Sequence, residues 1–370
     1  MRKSWLTMMV AGILLATVLV VSVLTFGAPR QASKTIKSQP IDEMATGMLA
    51  LQGAGLTSTE ADTMEKGLKA NPNDLRTRIR LLGYYSQARY HSTASRETWH
   101  RHVLWIIQRY PEAKICGLPY VQLDPELDKG VYGQAKELWL NDVKAHPANT
   151  EILWNAGAFF LLHDRSLTEN LLRKGKTLEP KNPRWPEQLG QLYSLGLNAK
   201  SGTDKREAAV KALAQLEAAT ALQKQDYDKF YALDDLAMKA FEAGQMDKAR
   251  QYASDLLAKS ADYKDDWNYG NAIQDGNIVL GRLALANGDV EKAKNYLIEA
   301  GKTPGSPQLD SFGPNMSLAK ELLEKGEKDV VLEYFQLCGK FWEMGKQDLQ
   351  KWTQTVRSGG IPDFGANLDY

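Results

Sequence analysis

The side chains best suited to chemistry are five histidines, at 91, 100, 102, 146 and 163, and two cysteines, Cys116 and Cys338. A metal-binding histidine pair on a helix stands four residues apart, so that both rings leave one face. His100 and His102 stand two apart, where helical geometry turns their side chains about 200° from each other. His146 and His163 fall where turns are expected. Two cysteines are too few for a four-thiolate zinc site or a disulfide-stapled scaffold. They lie buried as thiols or, in an exported body, pair with each other; sequence separation leaves both open. The adjacent acids Asp234-Asp235 and Asp265-Asp266 invite comparison with glycoside cleavage, which needs two carboxyl groups set across a substrate. Neighbouring residues on a helix point apart, and solvated surface charge is the expectation for both pairs. No G-x-S-x-G elbow, G-x-x-x-x-G-K-[ST] loop or H-E-x-x-H helix occurs in the sequence. The sequence therefore nominates no catalytic residue, metal ligand or cofactor, and the expectation is a protein that is not an enzyme. Nine tryptophans would suit sugar stacking, but Trp139 falls on a helix core position and Trp99 and Trp105 flank an apolar helix. Core packing is the expectation for most of them.

Lysine and arginine total 46 against 45 acidic residues, and a formal charge of +1 gives no electrostatic case for a nucleic-acid partner. At 43% hydrophobic and 25% charged the chain is globular, not disordered throughout. Its charge is unevenly placed. Trp5 to Ala28 is a run of 24 uncharged residues, about 36 Å as a helix and long enough to span a bilayer. A cleavable leader has a shorter apolar region, roughly 7–15 residues, and ends in small residues; here Phe26 and Pro29 flank the best cleavage position. No cysteine follows for lipid attachment. The run reads as an uncleaved signal anchor, with a cleaved leader as the alternative. Arg2 and Lys3 precede it and Arg30, Lys34 and Lys37 follow, so the charge bias is nearly balanced. The three-residue flank favours a cytoplasmic amino terminus, with the body extracytoplasmic, periplasmic in a bacterium. Gly12 and Ala16 form one small-xxx-small pair, a route to a homodimer. Residues 29–58 mix Pro, Ser, Gln and Gly and read as a tether.

The elements beyond residue 58 are helical. Sustained alternation of β-branched residues is absent outside the apolar run, and apolar stripes recur. Ala156 and Gly190, each on such a stripe, are 34 residues apart; Pro147 and Pro180, which precede the two stripes, are 33 apart. Leu233, Leu236, Ala237, Ala240, Gly244, Ala249 and Ala253 recur as Leu280, Gly281, Ala284, Gly288, Ala293 and Leu297. A weaker copy runs Leu318, Ala319, Leu322, Gly326, Val331 and Phe335. Gly130, Ala135, Trp139 and Pro147 keep the second half of the pattern, and Leu189, Gly190 and Tyr193 the first. With these positions the chain resembles the tetratricopeptide repeat family, whose unit is a 34-residue helix-turn-helix with small residues where paired helices touch. An irregular helical bundle is the competing account.

The resemblance implies an all-α fold, a right-handed α-α superhelix of helical pairs, over residues 59–338. Longer connections are expected near 197–230 and 260–277. Residues 339–370 read as a last helix and an irregular tail, and residues 301–313 as a connector. It also implies an interaction scaffold whose concave face takes a peptide or helix of a protein partner. Leu153, Gly157, Phe160, Asp234, Met238, Phe241, Ile278 and Arg282 match the positions that would line this groove. The Lys and Asn clamp of chaperone-binding members is not found at these positions. The rival expectation is an extracytoplasmic enzyme or glycan-binding protein acting on envelope polysaccharide.

Overall fold

Polar residues placed one position ahead of the helical segments start the first four helices. Asp42, Thr57, Asp74 and Ser92 each turn a side-chain oxygen onto an amide of the first helical turn, and Thr57 with Glu60 completes a reciprocal capping box. A computed structural model describes residues 42–197 and 200–368. The apolar run 5–28, Gly12, Ala16, residues 29–41 of the tether and Tyr370 lie outside them. Among the described residues every regular element is helical, and no helix is long and apolar enough to cross a membrane. The helices form two compact units divided between Glu179 and Pro180, where the repeats alone suggest one array over 59–338.

The first unit holds α1 (Glu43–Ala54), α2 (Ser58–Ala70), α3 (Leu75–Ala88), α4 (Thr93–Arg109), α5 (Lys129–Ala145), α6 (Thr150–Phe160) and α7 (Arg165–Leu178). Helix α1 corrects the reading of residues 29–58 as a tether. Its sequence has little amphipathic pattern, yet Ala50 and Gly53 are buried against α3. There the backbones nearly touch: a Cβ added at Gly53 would stand 1.9 Å from the Arg80 carbonyl oxygen, and one at Gly83 would stand 1.8 Å from that of Ala50. Between α4 and α5 the chain makes two 3₁₀ turns, Lys114–Gly117 and Pro119–Val121, that bury Ile115, Cys116 and Val121. Trp99 is buried and its Nε1 donates to the Tyr120 carbonyl at 2.8 Å.

The second unit is built from helix pairs: α8 (Arg184–Ser194) with α9 (Gly202–Leu222), α11 (Leu233–Glu242) with α12 (Met246–Ser260), α13 (Tyr269–Ala286) with α14 (Val290–Gly301), and α16 (Ser317–Glu324) with α17 (Lys328–Cys338). Short helices α10 (Asp226–Tyr231) and α15 (Pro307–Phe312) intervene, and α18 (Lys346–Arg357) packs on α17. Each first helix after α8 also rests on the second helix of the preceding pair. The last three pairs share one turn. Gly244, Gly288 and Gly326 have φ of 75°, 81° and 88°, and the next amide donates five residues back, to Ala240, Ala284 and Leu322. That is the Schellman closure, which needs a left-handed residue at the glycine. Gly130, aligned with these on sequence, is instead inside α5.

Helix α9 replaces the long connection expected over 197–230. Its stripe of Ala209, Ala212, Leu213, Leu216 and Ala219 is buried, and Leu216 lies over Gly190 of α8. The expected connection 260–277 shortens too, because α13 begins at Tyr269. In the tail Phe364 is buried against Trp352, ring centres 5.0 Å apart, and the Met316 amide donates to Asn367 O. Cys116 and Cys338 are both buried free thiols, and burial pushes each far above the ordinary thiol range.

Candidate functional site

Of the eight groove positions expected from sequence, five are buried: Leu153, Gly157, Phe160, Ile278 and, at 8% exposure, Met238. Leu153, Gly157 and Phe160 are buried on α6, which is covered by α5, α7 and the Lys114–Gly117 turn. Leu172 of α7 approaches Gly157, and Asn155 of α6 donates to the carbonyls of Pro111 and Ala113 at 2.8 and 3.0 Å. The side of α6 on which a groove was expected is therefore covered by α7, and segment 110–128 packs on the opposite side, around Asn155. Ile278 is buried because α13 is enclosed nearly all round by α11, α12, α14, α15 and α16. An enclosed helix has no free apolar stripe to offer a ligand.

Met238 and the three partly exposed positions, Asp234, Phe241 and Arg282, lie in the second unit. Met238 and Arg282 line a depression of about 280 Å³, together with Lys205, Lys239, Glu242 and Lys320. Phe241 and Asp234 are half-buried on the same helix as Met238. Arg282 organises the surface. Its Nη2 and Nε lie 2.7 and 2.9 Å from Glu321 Oε1, its Nη1 is 3.4 Å from the Met238 sulfur, and its guanidinium lies 4.3 Å over the Phe241 ring. One side chain of α13 thus ties α11 to α16, and a stacked, multiply bonded guanidinium is a rigid support. Lys239 pairs with Glu242 at 3.0 Å, and Lys205 stands 3.6 Å from the same carboxylate. Burial pushes the Glu242 carboxyl up, but the neighbouring ammonium and guanidinium groups bring it below the ordinary carboxylate range. Lys320 is half-buried and has no ion-pair partner among the described residues.

The amino-terminal half of the surface carries carboxylates, whereas the depression mixes Lys205, Lys239, Arg282 and Lys320 with Glu242, Glu321 and Glu324. Asp234 and Asp235 open α11, Asp275 lies on α13, Glu187 on α8 and Asp228 on α10. Burial pushes Asp275 up to about 7, with the Asp235 charge adding to it. Asp234 is raised well above its ordinary value, first by burial and then by Asp235 and Asp275. Glu187 rises by burial and by its facing Asp235 and Asp228. Asp235 also rises, by burial first, with Lys239 opposing. Its side chain is nonetheless exposed to water, which screens it, so the more enclosed Asp275 and Asp234 are the groups whose proton affinity changes most. Asp235 is solvated as expected, but the pair is not independent surface charge, because α13 brings a third carboxylate, Asp275, near it. Asp266 of the other pair accepts the Tyr231 hydroxyl at 2.6 Å.

Asp275, Glu187 and Lys320 are not nominated by the sequence. A signal exists in the repeat offset: aligning Gly244 with Gly288 sets Asp234 opposite Ile278, one helical turn beyond Asp275. Among the described residues no three His, Cys, Asp or Glu side chains come together to hold a metal ion. The chain matches no protein-family model, and no curated protein matches it in sequence.

Proposed function

We propose that this chain is a membrane-anchored, tetratricopeptide-like scaffold, a right-handed superhelix of helical pairs tethered through residues 5–28. It binds a peptide or helix of another protein on the face formed by α8, α11, α13 and α16. The observation that carries this reading is the carboxylate cluster at one end of that face, with an unpaired ammonium at the other. Carboxylates of α8, α10, α11 and α13 face one another at one end, and the unpaired Lys320 stands in the depression at the other, with Met238 and Phe241 between them. Like charges held together are costly unless a ligand supplies the counter-charge. A segment with basic residues at one end, an apolar middle and an acidic residue at the other complements the whole strip. Partner capture by cross-linking in membranes tests this with the intact chain against an Asp235→Arg, Lys320→Glu double variant, helix content checked by circular dichroism. We predict a partner recovered with the intact chain and reduced at least tenfold with the variant. Equal recovery by both, or none by either, overturns the reading.

A second reading rests on Asp275. A carboxyl that holds its proton near neutrality beside carboxylates of different affinity is the arrangement that serves glycoside cleavage. Incubation with envelope polysaccharide, followed by assay of new reducing ends, separates it from the scaffold. Release that falls by roughly 10²–10⁴ in Asp275→Asn supports an enzyme, and no release from the intact chain removes it.

A further inference from the structure

Two histidines left without a role by the sequence lie on opposite sides of α4, and each meets a carboxylate. His100 Nε2 is 2.7 Å from Asp128 Oδ1, which also accepts from Arg96 Nε at 2.9 Å. His102 is placed differently. It is only 4% exposed, its ring is stacked on Tyr85 of α3, its Nε2 is 2.6 Å from Glu65 Oε1 of α2, and its Nδ1 is 3.1 Å from Arg78 Nη1 of α3. A guanidinium has only donors. Arg78 must therefore donate to a lone pair on Nδ1, and the ring is neutral, with its one proton on Nε2 donated to Glu65.

The remaining contacts of Arg78 give that proton state a structural consequence. Its Nε and Nη2 both donate to the Pro72 carbonyl, at 3.2 and 2.9 Å, and its guanidinium lies 3.6 Å over the Trp105 ring. Arg78 thus clamps the α2–α3 connection, residues 71–74, to α4, with His102 as the acceptor that completes the clamp. We propose that His102 is an acid-released latch for this connection. A second ring proton, on Nδ1, sets N–H against N–H and one cation 3.1 Å from another, so Arg78 leaves and Pro72 loses both of its donors. The Glu65 contact strengthens at the same time, because a neutral donor becomes an imidazolium. Acid therefore loosens the 71–74 connection while keeping α2 on α4.

The charged and titratable groups around the ring support this direction. From α2 come Glu65 and Asp62, from α3 Arg78 and Tyr85, and from α4 Arg101, with Tyr110 at its end. Burial pushes Glu65 up, but the bond from His102, the charge that ring carries once protonated, and Tyr85 and Arg101 bring it below the ordinary range, so it stays an acceptor in mild acid. Arg78 is lowered by burial and remains a cation there. His100 accepts from no guanidinium, and its protonation tightens the bond to Asp128.

Hydrogen exchange of the full chain at pH 7.5 and 5.0, corrected for intrinsic rates, reads the latch. We expect the hydrogen-bonded amides of Asp74, Thr77 and Arg78 to lose at least tenfold protection in acid. In His102→Gln, whose amide offers both an acceptor and a donor but no titration, the loss disappears; in His100→Gln it persists. Unchanged protection in the parent chain, or the same acid loss in His102→Gln, overturns the proposal. Nitrogen NMR of the His102 ring tests it without a variant: a neutral ring protonated on Nε2 at pH 7.5 is expected, and a proton on Nδ1 at that pH refutes the latch.

Discussion

Gly83→Ala is expected to destabilise the first unit by roughly 2–4 kcal/mol, because overpacking costs typically about 1–3 kcal/mol and more where only backbone can yield. The new Cβ would stand 1.8 Å from the Ala50 carbonyl oxygen and 2.7 Å from its carbon. No rotamer change relieves contact with a backbone atom, so α1 must move bodily away from α3. The separation also strips Ala50, which is fully buried, of its cover. An opposing effect has to be weighed, since alanine favours a helix interior by about 1 kcal/mol over glycine. It is smaller than the clash, and the net sign is destabilising. Gly133→Ala supplies the control: Gly133 lies within α5 with nothing within 4 Å of its added Cβ, and a gain of up to about 1 kcal/mol is expected. Calorimetric melting of both variants checks the pair. A Gly83→Ala chain that melts at or above the parent temperature would show that α1 does not depend on this contact.

Gly83 also marks a limit on what the sequence makes readable. Helix type follows from periodicity, and the turns at Gly244, Gly288 and Gly326 follow from spacing, because a Schellman turn demands one residue type at one place. Helix α1 is illegible for the complementary reason: it is held by close backbone approach at small residues, which leaves little apolar stripe to detect. Helix α9 reads as a connection because Gly, Lys, Ser and Asp at its start resemble a loop, while its alanine-rich stripe carries too few large residues to announce a core. Of the groove positions assigned by repeat offset, Phe241 and Arg282 stay partly open to solvent; Phe160 and Ile278 are buried, since the cover that α7 lays on α6 and the packing around Ile278 are tertiary facts. The acidic half of the site needs Asp275 and Asp235 to be seen as neighbours, and periodicity within one helix cannot supply that.

Asp275→Asn is expected to stabilise the second unit by on the order of 2–4 kcal/mol at pH 8 and by almost nothing at pH 4, a tenfold change in proton affinity being worth about 1.4 kcal/mol. The folded chain holds the Asp275 proton up to about pH 7, against an ordinary value of 3.8. Between those values the folded state binds more protons than the unfolded one, so stability falls as pH rises through the window and the full penalty is present above it. Asparagine keeps the shape and a hydrogen-bonding amide but carries no charge to desolvate or to repel Asp235. The gain should therefore grow from pH 4 to 8 and then level off. Urea unfolding of parent and variant across that range measures it, and a gain of equal size at pH 4 and 8 would exclude a titrating cause. The comparison also bears on the proposed partner. A basic segment seated on the strip supplies the missing counter-charge, lowers the affinity of Asp275 for its proton and releases that proton on binding. Partner capture by the parent chain should then strengthen from pH 5.5 to 8, while capture by Asp275→Asn, weaker at pH 8, should change far less with pH. A pH response identical in the two chains would separate the carboxylate cluster from binding and leave its strain unexplained by a partner.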